Sequence, residues 1–345
     1  MRRAWAGAGV GMRHLAIALS CLALIGGSAT ALAEECPGNP NALGTSRVLA
    51  ISPDDFSRIG SMQYKQSLPL ADHEVVLTFD DGPIPPYSNI ILDTLAAQCV
   101  KVTYFLVGEM AHAYPAIVRR MYNEGHTLGT HSQDHPLSFQ NLGQARVERE
   151  VGDGIASVDA ALGDPKALAP FFRIPGLGRS NVVESYTAAQ HLVIWSADVV
   201  ADDWFRHIGA DQIAKRAIRR LEEKGRGILL LHDIHPATAM ALPTILKELK
   251  ARGYHVVQVV AAGERPATLP ETMVATSTPD KEAWPRILKT SASSISSTAS
   301  TANDEPALRH RVKRALAAQH RGTKLAGGTE PDYVKLNRDS QLRQF

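Results

Sequence analysis

The sequence predicts an α/β fold, a parallel sheet or barrel covered by helices, and two observations predict it. Between Glu74 and Val260, short β-rich runs alternate with amphipathic helical stretches. The residues able to do chemistry (Asp80, Asp81, His131, His135, Arg173, Asp198 and His232) follow the C-terminal ends of different runs, which is the rim that α/β barrels use for their sites.

Seven strands are expected, near Val75–Phe79, Val102–Val107, Thr127–Thr130, Phe171–Arg173, Leu192–Ser196, Ile228–Leu231 and His255–Val260. Each is a short run rich in β-branched, aromatic or apolar residues. The stretches between them carry helical periodicity. Val147, Val151, Ile155, Val158 and Leu162 recur every three or four positions, so one helix face is apolar and belongs in the core.

Outside this region the composition changes. Arg2, Arg3 and Arg13 precede the apolar run Leu15–Ile25, and the small-residue sequence Ala31-Leu32-Ala33 precedes Glu34. Residues 1–33 therefore read as a cleavable secretory signal, with an uncleaved anchor as the alternative, although the run is shorter than the roughly 20 residues of a membrane span. Cys21 lies in this segment, where the preceding residues make a poor lipidation site. Residues 34–71 form an N-terminal arm. Cys36 and Cys99 are then the only cysteines, and in an exported chain they either pair or stay free. Residues 263–305 include a Ser/Thr/Ala-rich stretch expected to be a disordered linker. In the 306–345 tail, Leu308, Val312 and Leu316 share a helical face while Arg309, Arg311, Lys313 and Arg314 crowd the rest. Two readings stand there, a solvated helix and a basic helix that docks on an anionic envelope polymer or lipid. The chain of 345 residues has 37 Lys and Arg against 35 Asp and Glu, so no field of one sign marks nucleic acid as a partner.

The chemistry concentrates in two motifs. The run TFDDGP places Asp80 and Asp81 after an apolar stretch, and about fifty residues further on His131 and His135 stand at i,i+4 spacing, which puts both imidazoles on one face. Two imidazoles and one carboxylate hold a divalent ion with a position open for water, and the second carboxylate is free to take that water's proton. The combination points to hydrolysis. Taken alone, DDGP also reads as a turn, and the histidines as a surface pair on a helix.

TFDDGP, HSQDH, FFRIPG, the Asp/Trp segment SADVVADDW and ILLLHD, in this order across about Asp72–Ala262, resemble the polysaccharide deacetylase family with its NodB-like domain. The resemblance implies a distorted, incomplete (β/α) barrel of about seven strands over residues 72–262. It implies one divalent ion, often zinc, held by Asp81, His131 and His135, with Asp80 as general base toward the attacking water and His232 as the acid that protonates a leaving amine. Arg173 matches the arginine that holds and aims the base. The position three beyond it, whose backbone N–H serves the oxyanion, is Gly176 here in place of the usual aromatic. Trp204 and Leu230 match residues lining an acetyl-methyl pocket, with plain core packing as the alternative. The family's Asp-x-x-Asp-Trp is lengthened in this chain. Asp198 keeps its distance from Trp195 and is expected to orient His232, ahead of Asp202 and Asp203.

The expected function is metal-dependent removal of acetyl groups from N-acetylated carbohydrate, such as chitooligosaccharide or peptidoglycan, by an exported hydrolase in the periplasm, cell envelope or medium. The partner is an acetylated glycan. No nucleic acid is involved, and no membrane span remains after signal cleavage. An O-acetyl esterase on xylan-like chains and a non-catalytic sugar-binding module are the alternatives. Two-His-one-carboxylate sites also serve iron oxygenases, but the free Asp80 and the distant His232 fit hydrolysis better.

Overall fold

The computed structural model describes residues 36–263. The expected leader, the linker beyond Gly263 and the basic tail lie outside the described residues. In the described part the seven expected strands are all present. They are β3 (Glu74–Asp80), β4 (Thr103–Leu106), β5 (Thr127–Thr130), β6 (Phe171–Arg173), β7 (Val193–Trp195), β9 (Gly227–His232) and β10 (His255–Ala261). Three more join them, β1 (Thr45–Ile51), β2 (Arg58–Ile59) and β8 (Val199–Val200). β2 and β8 are only two residues long and offer no period to read. β1 has one deeply buried side chain, Ile51, and so lacks the apolar run of its neighbours.

All pairings are parallel, in the order β1-β10-β3-β4-β5-β6-β7-β2, with β9 on β3 and β8 on β9. The sheet curls without closing, because β7 and β8, four residues apart, go to opposite partners: β7 to β6 and β2, β8 to β9. This is the distorted, incomplete barrel expected. β10 meets β3 only at His255–Val256 against Glu74–Val75, the start of the strand, and carries β1 with it.

A parallel sheet is apolar on both faces, so β3 and β9 read as continuous hydrophobic runs. Their register sorts the residues. Val75, Leu77, Phe79, Leu229 and Leu231 pack under the helices, together with Leu92, Leu95, Ile213, Leu221 and Leu242. The alternate residues stack in layers as Val76 beside Ile228, Thr78 beside Leu230 and Asp80 beside His232. The inner face thus runs from apolar to ionisable toward the strands' C-terminal ends. Its apolar part is completed by Phe105, Phe171 and Trp195, with ring centres 5.4 and 5.1 Å from the indole.

The covering helices are α1 (Tyr87–Ala97), α2 (Gly108–Ala113), α3 (Pro115–Asn123), α4 (Gln144–Leu162), α5 (Asn181–Ala189), α6 (Ala210–Lys224) and α7 (Pro236–Ala251). In α4 the expected stripe is buried at Val147, Val151, Val158 and Leu162 and partly buried at Ile155. Among the described residues no helix is long and apolar enough to cross a membrane.

The segment before β3 is held at both ends. Cys36 and Cys99 form a disulfide with Cα atoms 5.6 Å apart, and beside it Asn39 donates to the Ala97 carbonyl at 2.8 Å. At β2, Gly60 has φ 105°, a region that L side chains rarely adopt, and a Cβ there would come within 2.7 Å of the Ala197 nitrogen and the Ser196 carbonyl carbon. Gly60→Ala should therefore destabilise the protein by about 2–4 kcal/mol, from backbone strain plus overpacking. The measurement is the urea midpoint; an unchanged midpoint would show that the β2–β7 junction yields freely.

Candidate active site

Asp80 ends β3 facing the barrel interior, and Asp81 follows in the left-handed region at φ 78°. Arg173, wholly buried at the end of β6, donates from Nη1 to Asp80 Oδ1 at 2.6 Å and to Thr78 Oγ1 at 2.8 Å, and from Nη2 to the Ser196 carbonyl at 3.0 Å. Its guanidinium carbon lies 4.2 Å from the centre of the Phe105 ring. The pair is thus a buried structural element and not a surface ion pair.

His131 and His135 do not share a helix. They sit on the loop after β5, where Ser132 at φ 67° and His135 at φ 51° turn the chain so that residues four apart converge. Ser132 Oγ accepts from the His135 N–H at 3.1 Å. Glu150 of α4, 1% exposed, accepts from the Gln133 and Asp134 N–H groups at 3.2 and 3.0 Å. Sequence reasoning missed Glu150. The available signal was a carboxylate between Val147 and Val151 on the apolar side of α4, where an unpartnered charge would be costly.

His131 Nδ1 donates to the Arg173 carbonyl at 2.6 Å, so the lone pair of the neutral ring is at Nε2. That nitrogen lies 3.4 Å from Asp81 Oδ1 and 3.8 Å from Asp80 Oδ2, and His135 Nε2 lies 3.3 Å from Asp81 Oδ1. Asp81 Oδ1 is buried without a hydrogen-bond partner. Burial alone would raise the Asp81 carboxyl, but the electrostatic pull of the surrounding histidines, His135 foremost with His131 and His232, outweighs it and holds it below the usual carboxylate range. Burial, opposed by Asp81 and helped by the neighbouring His131 and His232, depresses His135. Ligand atoms of Asp81, His131 and His135 fall within 4.8 Å of one another. An orphaned buried carboxylate oxygen facing the Nε2 atoms of two histidines is a donor set that fits a divalent cation, with N and O ligands of the kind zinc accepts.

On the neighbouring strand stands His232, at the end of β9 in register with Asp80. Here the structure corrects the expectation that Asp198 orients it. Asp203 does so: Oδ1 pairs with His232 Nδ1 at 2.8 Å, and Oδ2 accepts from the His232 N–H and from Thr238 Oγ1, each at 2.7 Å. Asp198 instead accepts from the N–H groups of Ser61 and Ile228 at 2.6 and 2.8 Å and from Ser67 Oγ at 2.9 Å. The physical reason is register. Asp198 directly precedes β8, whose Val199 pairs with Leu229, so it lies beside the start of β9, whereas His232 is at its end. Burial works against charge on His232, but Asp203, their hydrogen bond, Asp81 and Asp80 together push it up to about 10.

Trp204 is half-buried with its ring 5.7 Å from that of His232, edge to face, and Leu230 is the inner-face residue one layer below. Gly176 adopts φ 57°, ψ 16°, and Leu177 follows at φ 53°. A side chain at Gly176 would be strained, which fits the glycine found there. This turn is held by the arm: Gln63 Nε2 donates to the Leu177 carbonyl at 2.7 Å, and Arg179 to the Gln63 carbonyl at 2.8 Å.

The family model for polysaccharide deacetylases matches residues 68–193. A peptidoglycan-N-acetylglucosamine deacetylase of Bacillus cereus is 34% identical over 210 residues, covering 59% of this chain and 72% of that protein. The peptidoglycan-N-acetylglucosamine deacetylase PgdA of Listeria monocytogenes is 33% identical over 185 residues, 54% of this chain but only 38% of the Listeria protein. Among solved structures, the Bdellovibrio bacteriovorus peptidoglycan deacetylase Bd3279 superposes with a TM-score of 0.56 at 29% identity, over 63% of this chain and 59% of its own. The barrel, the order of its motifs and these likenesses define an α/β domain of the polysaccharide deacetylase type. The chain belongs to the polysaccharide deacetylase family.

The two aspartates of TFDDGP should fail differently. In chelator-treated protein, Asp81→Asn, His131→Ala and His135→Ala should each weaken zinc binding by on the order of 100-fold, since the site offers three ligands and none to spare. Asp80→Asn should leave binding within about tenfold. Competition with a chromophoric chelator decides; equal losses at Asp80 and Asp81 would refute the division.

Proposed function

We propose that the protein is an exported, metal-dependent hydrolase that removes acetyl groups from N-acetylated glycans, with peptidoglycan or a related N-acetylglucosamine polymer as substrate. The observation that carries this reading is a pair of ionisable devices in register on neighbouring strands beside one cation-fitting cluster. Asp80, held by Arg173, has acceptor capacity to spare. His232, held by Asp203, has a proton to give.

A divalent ion held by Asp81, His131 and His135, most simply zinc, would polarise the acetyl carbonyl and acidify water. Asp80 takes the proton of the attacking water, and Arg173 fixes its direction. The Gly176 N–H donates to the oxygen on which charge develops. His232 protonates the nitrogen as the bond to the acetyl carbon breaks, because an amine does not leave as its anion near neutral pH. Trp204 and Leu230 offer apolar surface for the acetyl methyl. That His232 keeps a carboxylate partner, Asp203, across the lengthened loop supports catalysis over the non-catalytic alternative. The Cys36–Cys99 disulfide and the expected leader support export, as disulfides persist in oxidising compartments.

The test is acetate release by the mature protein from acetylated glycans, with chelator and with added zinc. Release from N-acetylglucosamine polymers that chelator stops and zinc restores supports the reading; no release from any, or oxygen-dependent turnover, overturns it.

The acid separates amide from ester hydrolysis. His232→Ala should lose about 10²–10⁴-fold on an acetamide and much less on an acetate ester, whose alkoxide leaves more easily. The same residue sets the alkaline limb. His232 acts in its protonated form, so activity falls as pH rises through its pKa, which lies about 10 in the metal-free protein and is drawn lower by a dication beside Asp81. Asp203→Asn removes the charge that favours imidazolium and should move the limb to lower pH, whereas Asp198→Asn should leave it in place. A limb that moves with Asp198 would reverse the assignment.

A further inference from the structure

The loop between β8 and α6 carries two adjacent aspartates whose carboxylates go to different elements. Asp203 turns inward to His232 and Thr238. Asp202, 9% exposed, turns to α6. Its Oδ1 and Oδ2 accept from Arg220 Nη1 and Nη2, both at 2.8 Å, in a bidentate pair, and Oδ2 accepts from Arg216 Nη1 at 2.7 Å. Arg220 Nη1 also donates to the Val200 carbonyl at 2.8 Å. One guanidinium thus grips the loop on both sides of Ala201.

This grip has a load. Val200 is fixed in the sheet beside Leu230, and Asp203 is fixed on His232, so Ala201 and Asp202 must span between them. Asp202 does so at φ 58°, a conformation that costs an ordinary L residue about 1–2 kcal/mol and Asp somewhat less. Asp202 tolerates that turn better than most residues would, and the two arginines hold it there. They sit four apart on α6, whose other face buries Ile213, Ala217 and Leu221 in the core, so the anchor is rigid. Two like charges at that spacing repel, and the shared carboxylate makes the arrangement stable.

We propose that Asp202, through Arg220, is a positioning residue for the acid: it fixes the backbone from which Asp203 aims the His232 imidazole. The extra residues between Asp198 and Trp204 are thereby absorbed without displacing the histidine's partner. The inference rests on the reading of His232 as general acid, and the test keeps the two apart.

The protein is compared as wild type, Arg220→Gln, Asp202→Asn, His232→Ala and Arg220→Gln/His232→Ala on an N-acetyl sugar and on an O-acetyl ester of the same sugar. Arg220 is partly exposed, so its variant tests the grip without opening the core. Positioning predicts that Arg220→Gln and Asp202→Asn lower kcat on the amide about 10–100-fold with KM nearly unchanged, lose much less on the ester, and that Arg220→Gln costs nothing further once His232 is gone. Equal losses on both substrates, or an Arg220→Gln cost that persists in the His232→Ala background, would make the grip a general stiffener and overturn the proposal. A second readout needs no turnover. The hydrogen-bonded Nδ1 proton of His232, identified by its disappearance in His232→Ala, should broaden or move upfield in the NMR spectrum of Arg220→Gln, and an unchanged resonance overturns the proposal even if the wild type releases no acetate. Absent turnover with a resonance that responds would condemn the acid role alone and leave the positioning of the imidazole standing.

Discussion

The site depends on one buried guanidinium. Arg173 is wholly buried, so its charge must be met inside, and Nη1 and Nη2 meet it by tying Asp80 of β3, Thr78 of the same strand and the Ser196 carbonyl beyond β7 to the end of β6. Its own carbonyl fixes the tautomer of His131. Removing such a partner from a buried pair costs about 3–5 kcal/mol, because the remaining charge stays behind without compensation. Asp80, one ring of the cation-fitting cluster and the curl of the sheet are therefore not independent parts.

Much of this was legible in the residues. The seven main strands could be read from their β-rich runs, and the alternation along β3 and β9 sets which residues face the interior. Asp80, Asp81, His131, His135, Arg173 and His232 stand at strand ends in one dimension as they do in three. What escaped is carried by contacts across the chain. β2 and β8 are too short to have a pattern and exist because β7 and β9 offer them edges. The partner of His232 turned on register. Spacing from Trp195 favoured Asp198, but β8 pairs near the start of β9 and leaves Asp198 remote from the histidine at its end. Adjacency to Trp204, which packs edge to face on His232, was the better guide.

Asp198 acquires a different meaning in this light. The barrel opens where β7 and β8 part, and an opening exposes backbone groups that must be paired. Asp198 accepts from Ile228 on one side of the gap and from Ser61 and Ser67 of the arm on the other. Its carboxylate replaces the missing ladder. The arm is thus part of the barrel wall, and through Gln63 it also holds the turn at Gly176 and Leu177.

Both pairs of adjacent aspartates depend on a left-handed residue, with opposite results. On a regular strand successive side chains point to opposite faces. At φ 78° Asp81 breaks that alternation, and Asp80 and Asp81 both come within 4 Å of His131 Nε2. At φ 58° Asp202 instead sends its carboxylate out to α6 while Asp203 goes in to His232. Aspartate suits such positions because it tolerates the left-handed region better than most residues. A doubled carboxylate in sequence therefore says that two charges are available but not whether they converge or separate. Here the handedness of one backbone residue decides that, and the tertiary partners, Arg173 and the histidines for the first pair and Arg220 for the second, decide the handedness.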